Sequence, residues 1–73
     1  MKLIQVQSRG IRAVGYEEDL QVLYIQFIEG DIYEYIGVPV GEFIDLLQAK
    51  SIGWFVNKRI KPFYDYRKLE AAS

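Results

Sequence analysis

The sequence predicts an α+β domain in which a small antiparallel β-sheet packs with two short helices. Residues 3–36 form short runs rich in Val, Ile, Tyr and Phe, separated by polar or glycine-containing turns, which is typical of strands. Residues 39–61 instead place apolar side chains at helical spacing, between two prolines. The predicted strands lie near residues 3–7, 11–16, 20–28, 31–36 and 63–68, and the predicted helices lie near 39–50 and 52–61.

Length and composition exclude several classes of protein. With 73 residues, of which 51% are hydrophobic and 26% charged, we expect one ordered domain over 1–69 and a frayed tail over 70–73. The absence of Cys and His excludes disulfides, zinc fingers and the Ser-His-Asp triad. We therefore expect no metal, no cofactor and no catalytic residues. No apolar run reaches the about 18 residues of a membrane helix, and no signal peptide is visible, so we expect a cytoplasmic protein with no membrane partner.

The third and fourth predicted strands form a hairpin whose register decides the role of two tyrosines. In a two-residue loop of Glu29 and Gly30, Tyr33 and Tyr35 lie with Tyr24 on the face opposite the core and form an aromatic platform. In a three-residue loop with a bulge at Gly30, both tyrosines join the core. The order Glu-Gly favours the bulged loop, because a two-residue primed turn needs a positive φ at its first position.

The two predicted helices follow in sequence. The first starts at Pro39, and its apolar stripe consists of Val40, Phe43, Ile44 and Leu47. Ser51 caps the second helix, and Pro62 ends it at about residue 61. The apolar face of the second helix consists of Ile52, Phe55, Val56 and Ile60.

Charge is distributed unevenly along the chain, although the net charge is only −1. Residues 1–49 contain three Lys and Arg against eight Asp and Glu, whereas residues 50–73 contain six against two. This split predicts a basic, aromatic-flanked C-terminal surface that can contact phosphates and stack on bases. The candidate residues are Trp54, Lys58, Arg59, Lys61, Tyr64, Tyr66, Arg67 and Lys68. The alternative is that the charges are solvated, that Trp54 packs in the fold or an interface, and that Arg59 pairs with an acid such as Glu34.

A set of spaced residues between Ser8 and Arg67 resembles the KTSC domain. That family is named after the C-terminus of some lysyl-tRNA synthetases and also occurs as small free-standing bacterial and phage proteins. The matching residues are Tyr33, Tyr35, Val38, Pro39, Ala49, Ser51, Gly53, Phe55, Asn57, Ile60, Lys61, Tyr64 and Tyr66. Two positions depart from the pattern, because Val56 replaces an aromatic residue and Lys61 replaces Arg.

Most of the matching residues also have a structural explanation. Ser51 can cap a helix, Gly53 allows a close approach of the backbone, and Asn57 can bond a loop. We therefore predict structural roles for Tyr33, Tyr35, Pro39, Ser51, Gly53, Phe55, Asn57 and Ile60.

Two functional hypotheses follow. The resemblance implies RNA binding, so the first is a non-catalytic module for RNA or other single-stranded nucleic acid. The second is a protein-interaction or homo-oligomerisation module with exposed rings at its interface, which the acidic pI of about 5.3 favours. Salt distinguishes the two, because phosphate contacts weaken with salt and aromatic interfaces do not. The acids Glu29, Asp31 and Glu34 have no evident partner base, so the sequence does not predict an enzyme.

Overall fold

The computed structural model describes residues 1–69, and the tail predicted over 70–73 lies outside the described residues. The strands are β1 (Ile4–Gln5), β2 (Ile11–Glu17), β3 (Val22–Phe27), β4 (Ile32–Ile36) and β5 (Tyr66–Leu69). The helices are α1 (Val40–Gln48) and α2 (Ile52–Phe55), and α2 continues into a π-helical segment, Val56–Ile60. The α+β prediction and the order of its elements are confirmed.

The five strands form one antiparallel sheet in the order β1-β2-β3-β4-β5. Strands that are neighbours in the chain are neighbours in the sheet, and α1, α2 and the π-helical segment form the connection between β4 and β5. This connection returns the chain to the free edge of β4, so β5 lies beside the second strand of the hairpin.

The β3–β4 hairpin has the bulged, three-residue turn. The Phe27 amide donates to the Asp31 carbonyl at 2.8 Å, and the Gly30 amide donates to the Phe27 carbonyl at 2.9 Å. Gly30 has φ +108°, which a residue with a side chain rarely adopts. In this register Ile25 pairs with Tyr33, so the tyrosines of β4 face the helices, as the bulged alternative predicts.

The core lies between the sheet and the helical connection. A bulge in β2 between Ile11 and Ala13 shifts the alternation by one residue, so Ile11 and Val14 both face this core. The central cluster of buried apolar side chains consists of Ile11, Val14, Leu23, Ile25, Tyr35, Val38, Leu46, Phe55, Val56 and Ile60. The predicted apolar face of the second helix therefore packs in the core, with Ile52 partly buried at its margin.

Helix α1 presents a different face to the core than its spacing predicts. Leu46 is completely buried and Phe43 stacks on Tyr16, with ring centroids 5.0 Å apart. Val40, Ile44 and Leu47 are instead 42–48% exposed. Phe43 belongs to two overlapping apolar stripes on α1, and its contact with the ring of Tyr16 accompanies burial of the stripe that also contains Leu46. The helix also starts one residue later than predicted, because Pro39 has extended backbone angles and serves as the N-cap.

The second helix ends in a wider turn than an α-helix. The Lys61 amide donates to the Val56 carbonyl at 2.8 Å, the five-residue spacing of a π-helix. The amides of Phe63 and Tyr64 then both donate to the Ile60 carbonyl at 3.2 Å. These bonds hold residues 63–65 in a turn, so β5 starts at Tyr66 and not at residue 63.

Within residues 1–69, no helix is long and apolar enough to cross a membrane.

The N-terminal segment packs so closely on β2 that Gly15 has no room for a side chain. A Cβ at this position would lie 2.3 Å from the carbonyl oxygen of Lys2, so the backbone of residues 2–3 must move. We expect Gly15→Ala to lower the free energy of unfolding by about 1–3 kcal/mol in urea denaturation. The matched control is Gly41→Ala in α1, where nothing lies within 4 Å, and this change should raise it by up to about 1 kcal/mol. Equal stability of the two variants would contradict the prediction.

Candidate functional site

An aromatic pocket lies on the face of the sheet that bears the tyrosines of β4, and it extends from the β3–β4 turn to Tyr66 at the start of β5. It has a volume of about 310 Å³, at the lower end of the range typical of small-ligand pockets. We define the aromatic pocket by its lining residues, which are Phe27, Glu29, Tyr33, Tyr35, Lys61 and Tyr66. Strands β3, β4 and β5, the β3–β4 turn and the end of the π-helical segment thus all contribute to it.

Three tyrosine rings form one wall of the aromatic pocket. Tyr33 and Tyr35 are two residues apart on β4, and Tyr66 on β5 pairs directly with Tyr35. The ring centroids of Tyr33 and Tyr66 are 5.6 Å apart, and those of Tyr35 and Tyr66 are 6.0 Å apart. Phe27 meets the ring of Tyr33 edge to face at 5.4 Å. These contacts fix the rings before any ligand binds.

The three tyrosines differ in exposure, from floor to rim. Tyr35 is only 2% exposed and forms the floor, Tyr33 is half-buried, and Tyr66 is 61% exposed. Burial, followed by the nearby phenols of Tyr33 and Tyr66, raises the pKa of Tyr35 to about 12. Tyr35 therefore stays neutral at physiological pH, and Tyr66 offers a ring face to solvent.

Lys61 connects the aromatic pocket with two neighbouring cavities. Its Nζ lies 5.1 Å from the centroid of the Phe27 ring, within cation–π distance. Lys61 also lines one cavity together with Gly53 and Asn57, and another together with Tyr64 and residues 62–63. Lys61 is thus a lining residue shared by three adjoining cavities, which together we call the groove around Lys61.

Three of the eight candidate side chains of the basic surface are held in salt bridges with acids. Arg59 donates to Glu42 at 2.8 Å, so the partner proposed from the sequence, Glu34, is wrong. Glu34 is buried and instead accepts from Arg67 Nε at 2.6 Å. Lys68 lies 3.4 Å from a carboxylate oxygen of Asp31. These pairs neutralise much of the positive charge that the sequence places in this region.

The sheet also separates two of these cations. Arg67 pairs with Glu34 and Lys68 pairs with Tyr33 across the β4–β5 ladder, so the two side chains point to opposite faces of the sheet. The side of the aromatic pocket is the side of Lys68 and Tyr66. The predicted residues therefore do not form one continuous ridge.

The five remaining candidates are the side chains of Trp54, Lys58, Lys61, Tyr64 and Tyr66. Trp54 is 57% exposed on α2, and Lys58 is exposed on the π-helical segment. Tyr64 packs partly buried against the core, and burial raises its pKa. Among residues 1–69, neither Lys58 nor Lys61 forms a salt bridge. Lys61 and Tyr66 are the two predicted residues that line the aromatic pocket.

The residues predicted to be structural fall into two groups. Ser51 caps α2 by accepting from the Trp54 amide at 3.1 Å, and Phe55 and Ile60 are buried in the core. Gly53 and Asn57 line the cavity beside Lys61, and Tyr33 and Tyr35 line the aromatic pocket. The tyrosines thus belong both to the packed interior and to a cavity wall.

Sequence reasoning did not place Phe27 and Glu29 in a site. Phe27 lies within the predicted strand 20–28, and as a site residue Glu29 is considered only as a possible catalytic acid. The bulged-turn alternative contains the missing signal, because it puts Phe27 opposite Asp31 and on the same face as Tyr33. Within residues 1–69, no three Asp, Glu, His or Cys side chains come close enough to hold a metal ion.

The fold and the cavity define a small α+β domain with a five-stranded antiparallel sheet and an aromatic pocket on one face of that sheet. The KTSC domain model matches residues 7–72, so the chain belongs to the KTSC domain family. A KTSC domain protein from Yersinia pestis, known from its crystal structure, is 34% identical, with a TM-score of 0.89 over 94% of this chain and 97% of that one. The family resemblance seen in the sequence is thereby confirmed.

Two further relatives show where such domains occur. An uncharacterised protein of Stutzerimonas stutzeri is 35% identical over 71 residues, covering 96% of this chain and all of that protein. A lysine–tRNA ligase of Nostoc punctiforme is 36% identical over 67 residues, which cover 92% of this chain but only 12% of the ligase. The chain is thus related to a small protein and to one segment of a much larger one.

The buried phenol of Tyr35 predicts a loss of stability in alkali. Its folded pKa of about 12 lies above the ordinary 10.0, so the unfolded chain loses this proton first as pH rises. The stabilisation is complete below pH 10 and is lost between pH 10 and about pH 12. We expect a loss of about 2–3 kcal/mol in urea denaturation across this window. Tyr35→Phe retains the ring but has no ionisable phenol, so its free energy of unfolding should fall less than that of the wild-type protein between pH 10 and about pH 12. An equal fall in the two proteins would contradict the raised pKa of Tyr35.

Proposed function

We propose that this chain is a non-catalytic cytoplasmic module that binds RNA or other single-stranded nucleic acid in the aromatic pocket and the groove around Lys61. One observation carries the proposal: the Lys61 ammonium lines the same pocket as the exposed ring of Tyr66. Single-strand binders combine ring faces, on which bases stack, with cations that contact phosphates. When a base stacks on the ring of Tyr66, the ammonium group of Lys61 lies nearby and can contact the phosphate of that nucleotide.

The groove fits an extended chain better than an isolated small molecule. Lys61 lines three adjoining cavities, so a strand could pass through them in succession. Trp54 and Lys58 offer another exposed ring and cation on the neighbouring helical segment. Arg59, Arg67 and Lys68 already form salt bridges with acidic side chains. The proposed interface therefore lies around Lys61.

The relatives support an RNA ligand. The Nostoc enzyme is named as a lysine–tRNA ligase, and one segment of it matches nearly all of this chain. A segment of an enzyme that acts on tRNA lies in the same molecule as a binding site for RNA. The residues that match the KTSC pattern also include six that line these cavities, namely Tyr33, Tyr35, Gly53, Asn57, Tyr64 and Tyr66.

The chemistry of the aromatic pocket supports binding rather than catalysis. Its lining contains one carboxylate, Glu29, and one ammonium, Lys61. General acid–base catalysis needs titratable groups whose environments separate their pKa values. Glu29 lies in an exposed turn, and the lining of the pocket contains no second carboxylate.

A second candidate function is self-association or protein binding through α1. Val40, Ile44 and Leu47 form an exposed apolar stripe on that helix, which favours this reading. Sedimentation equilibrium of the protein, with and without RNA, over a range of salt concentrations separates the two functions. An apolar interface persists at high salt, whereas phosphate contacts are lost.

Lys61 should contribute a phosphate contact. We expect Lys61→Gln to weaken binding of a labelled oligouridine, measured by fluorescence anisotropy at low salt. The slope of log K against log salt should decrease by about 0.7, the value for one phosphate contact in a single strand. Lys50→Gln removes the same charge from an exposed residue outside these cavities and should change affinity less. The proposal fails if the wild-type protein binds no RNA at low salt, or if both variants bind as it does.

Tyr66 should contribute by stacking. Because its ring is largely exposed, Tyr66→Leu should leave the fold intact while weakening the same oligouridine about 5- to 100-fold. Tyr24→Leu is the matched control, because Tyr24 pairs with Glu34 and so lies on the opposite face of the sheet. Equal losses of affinity for the oligouridine in the two variants would contradict stacking of a base on Tyr66.

A further inference from the structure

The aromatic pocket contains two opposite charges that do not neutralise each other. Glu29 and Lys61 both line it, yet the salt bridges among residues 1–69 are formed by other side chains. An ionised carboxylate only accepts hydrogen bonds, and an ammonium only donates them. A ligand that uses both groups must offer hydrogen-bond donors on one side and negative charge on the other.

The position of Glu29 is fixed by the hairpin turn. The Gly30 amide donates to the Phe27 carbonyl, and the Phe27 amide donates to the Asp31 carbonyl. These bonds fix the backbone of Glu29 in the turn, and Glu29 lines the pocket together with Phe27. Glu29 is exposed and forms no salt bridge among residues 1–69, so its carboxylate is free to accept hydrogen bonds from a flat ligand in the pocket.

Among the components of RNA, the bases differ in what they offer a carboxylate. The Watson–Crick edge is free in a single strand. Guanine presents the adjacent N1–H and N2–H donors, which match the two oxygens of a carboxylate. Adenine and cytosine present one amino group beside a ring acceptor. Uracil presents one N–H between two carbonyl oxygens, which repel a carboxylate.

We infer that the aromatic pocket binds one unpaired guanine of an RNA strand. The base stacks on the tyrosine wall, Glu29 accepts from its N1–H and N2–H, and Lys61 contacts a neighbouring phosphate. This inference rests on the proposed RNA binding and adds the selection of one base at one position.

The test uses the full chain and two labelled RNAs, an oligouridine and the same strand with one central guanosine. Anisotropy titrations should show the guanosine strand binding the wild-type protein about tenfold more tightly. Glu29→Gln should lose most of this preference without weakening the oligouridine, because it removes one charged acceptor. Glu18→Gln, an exposed glutamate in the β2–β3 turn, removes the same charge and should retain the preference.

A third strand with inosine in place of guanosine tests the second hydrogen bond. Inosine lacks the 2-amino group, so it should bind more weakly than guanosine. Equal affinities for the oligouridine and the guanosine strand would overturn the inference and leave the proposed function standing. A preference that survives Glu29→Gln, or one that Glu18→Gln also abolishes, would overturn the role of Glu29. Failure of every RNA to bind would overturn the proposed function and the inference together.

Discussion

The turn between β3 and β4 is the constraint on which the rest of the structure depends. With three residues in the turn and Gly30 at a positive φ, Tyr33 and Tyr35 face the helical connection. A turn shorter by one residue would put both rings on the other face of the sheet and leave the core without Tyr35. The core, the tyrosine wall and the position of Glu29 all follow from one backbone conformation.

Charge pairing determines which cations of this acidic domain remain available to a ligand. Glu42, Glu34 and Asp31 each pair with a nearby cation, so these groups act mainly on each other. Such pairs at exposed positions add little stability. Their effect on the proposed function is larger, because they leave Lys61 as the cation shared by the three cavities of the groove. The net charge of the chain therefore does not indicate which of its cations are engaged in salt bridges.

Sequence patterns predicted the elements that local chemistry determines. Ser51 caps its helix, Pro62 follows the end of the helical segment, and the apolar face of that segment is buried. The stripe of α1 was assigned to the wrong side, because periodicity allows two faces and the buried one contacts Tyr16, a residue distant in sequence. The partner of Arg59 was wrong for the same reason. Tertiary contacts, which no single-sequence pattern contains, decide both.

The aromatic pocket shows why a structural and a functional role for a tyrosine need not be alternatives. Tyr35 is buried well enough to raise its pKa to about 12, and yet its ring closes the floor of a cavity. Tyr33 braces Phe27 on one side and Tyr66 on the other, within ring distances of 5.4 and 5.6 Å. Rings fixed in this way lose little further entropy when a base stacks on them, which favours binding. The residues that pack together on this face of the sheet are thus the ones best prepared to receive a flat ligand.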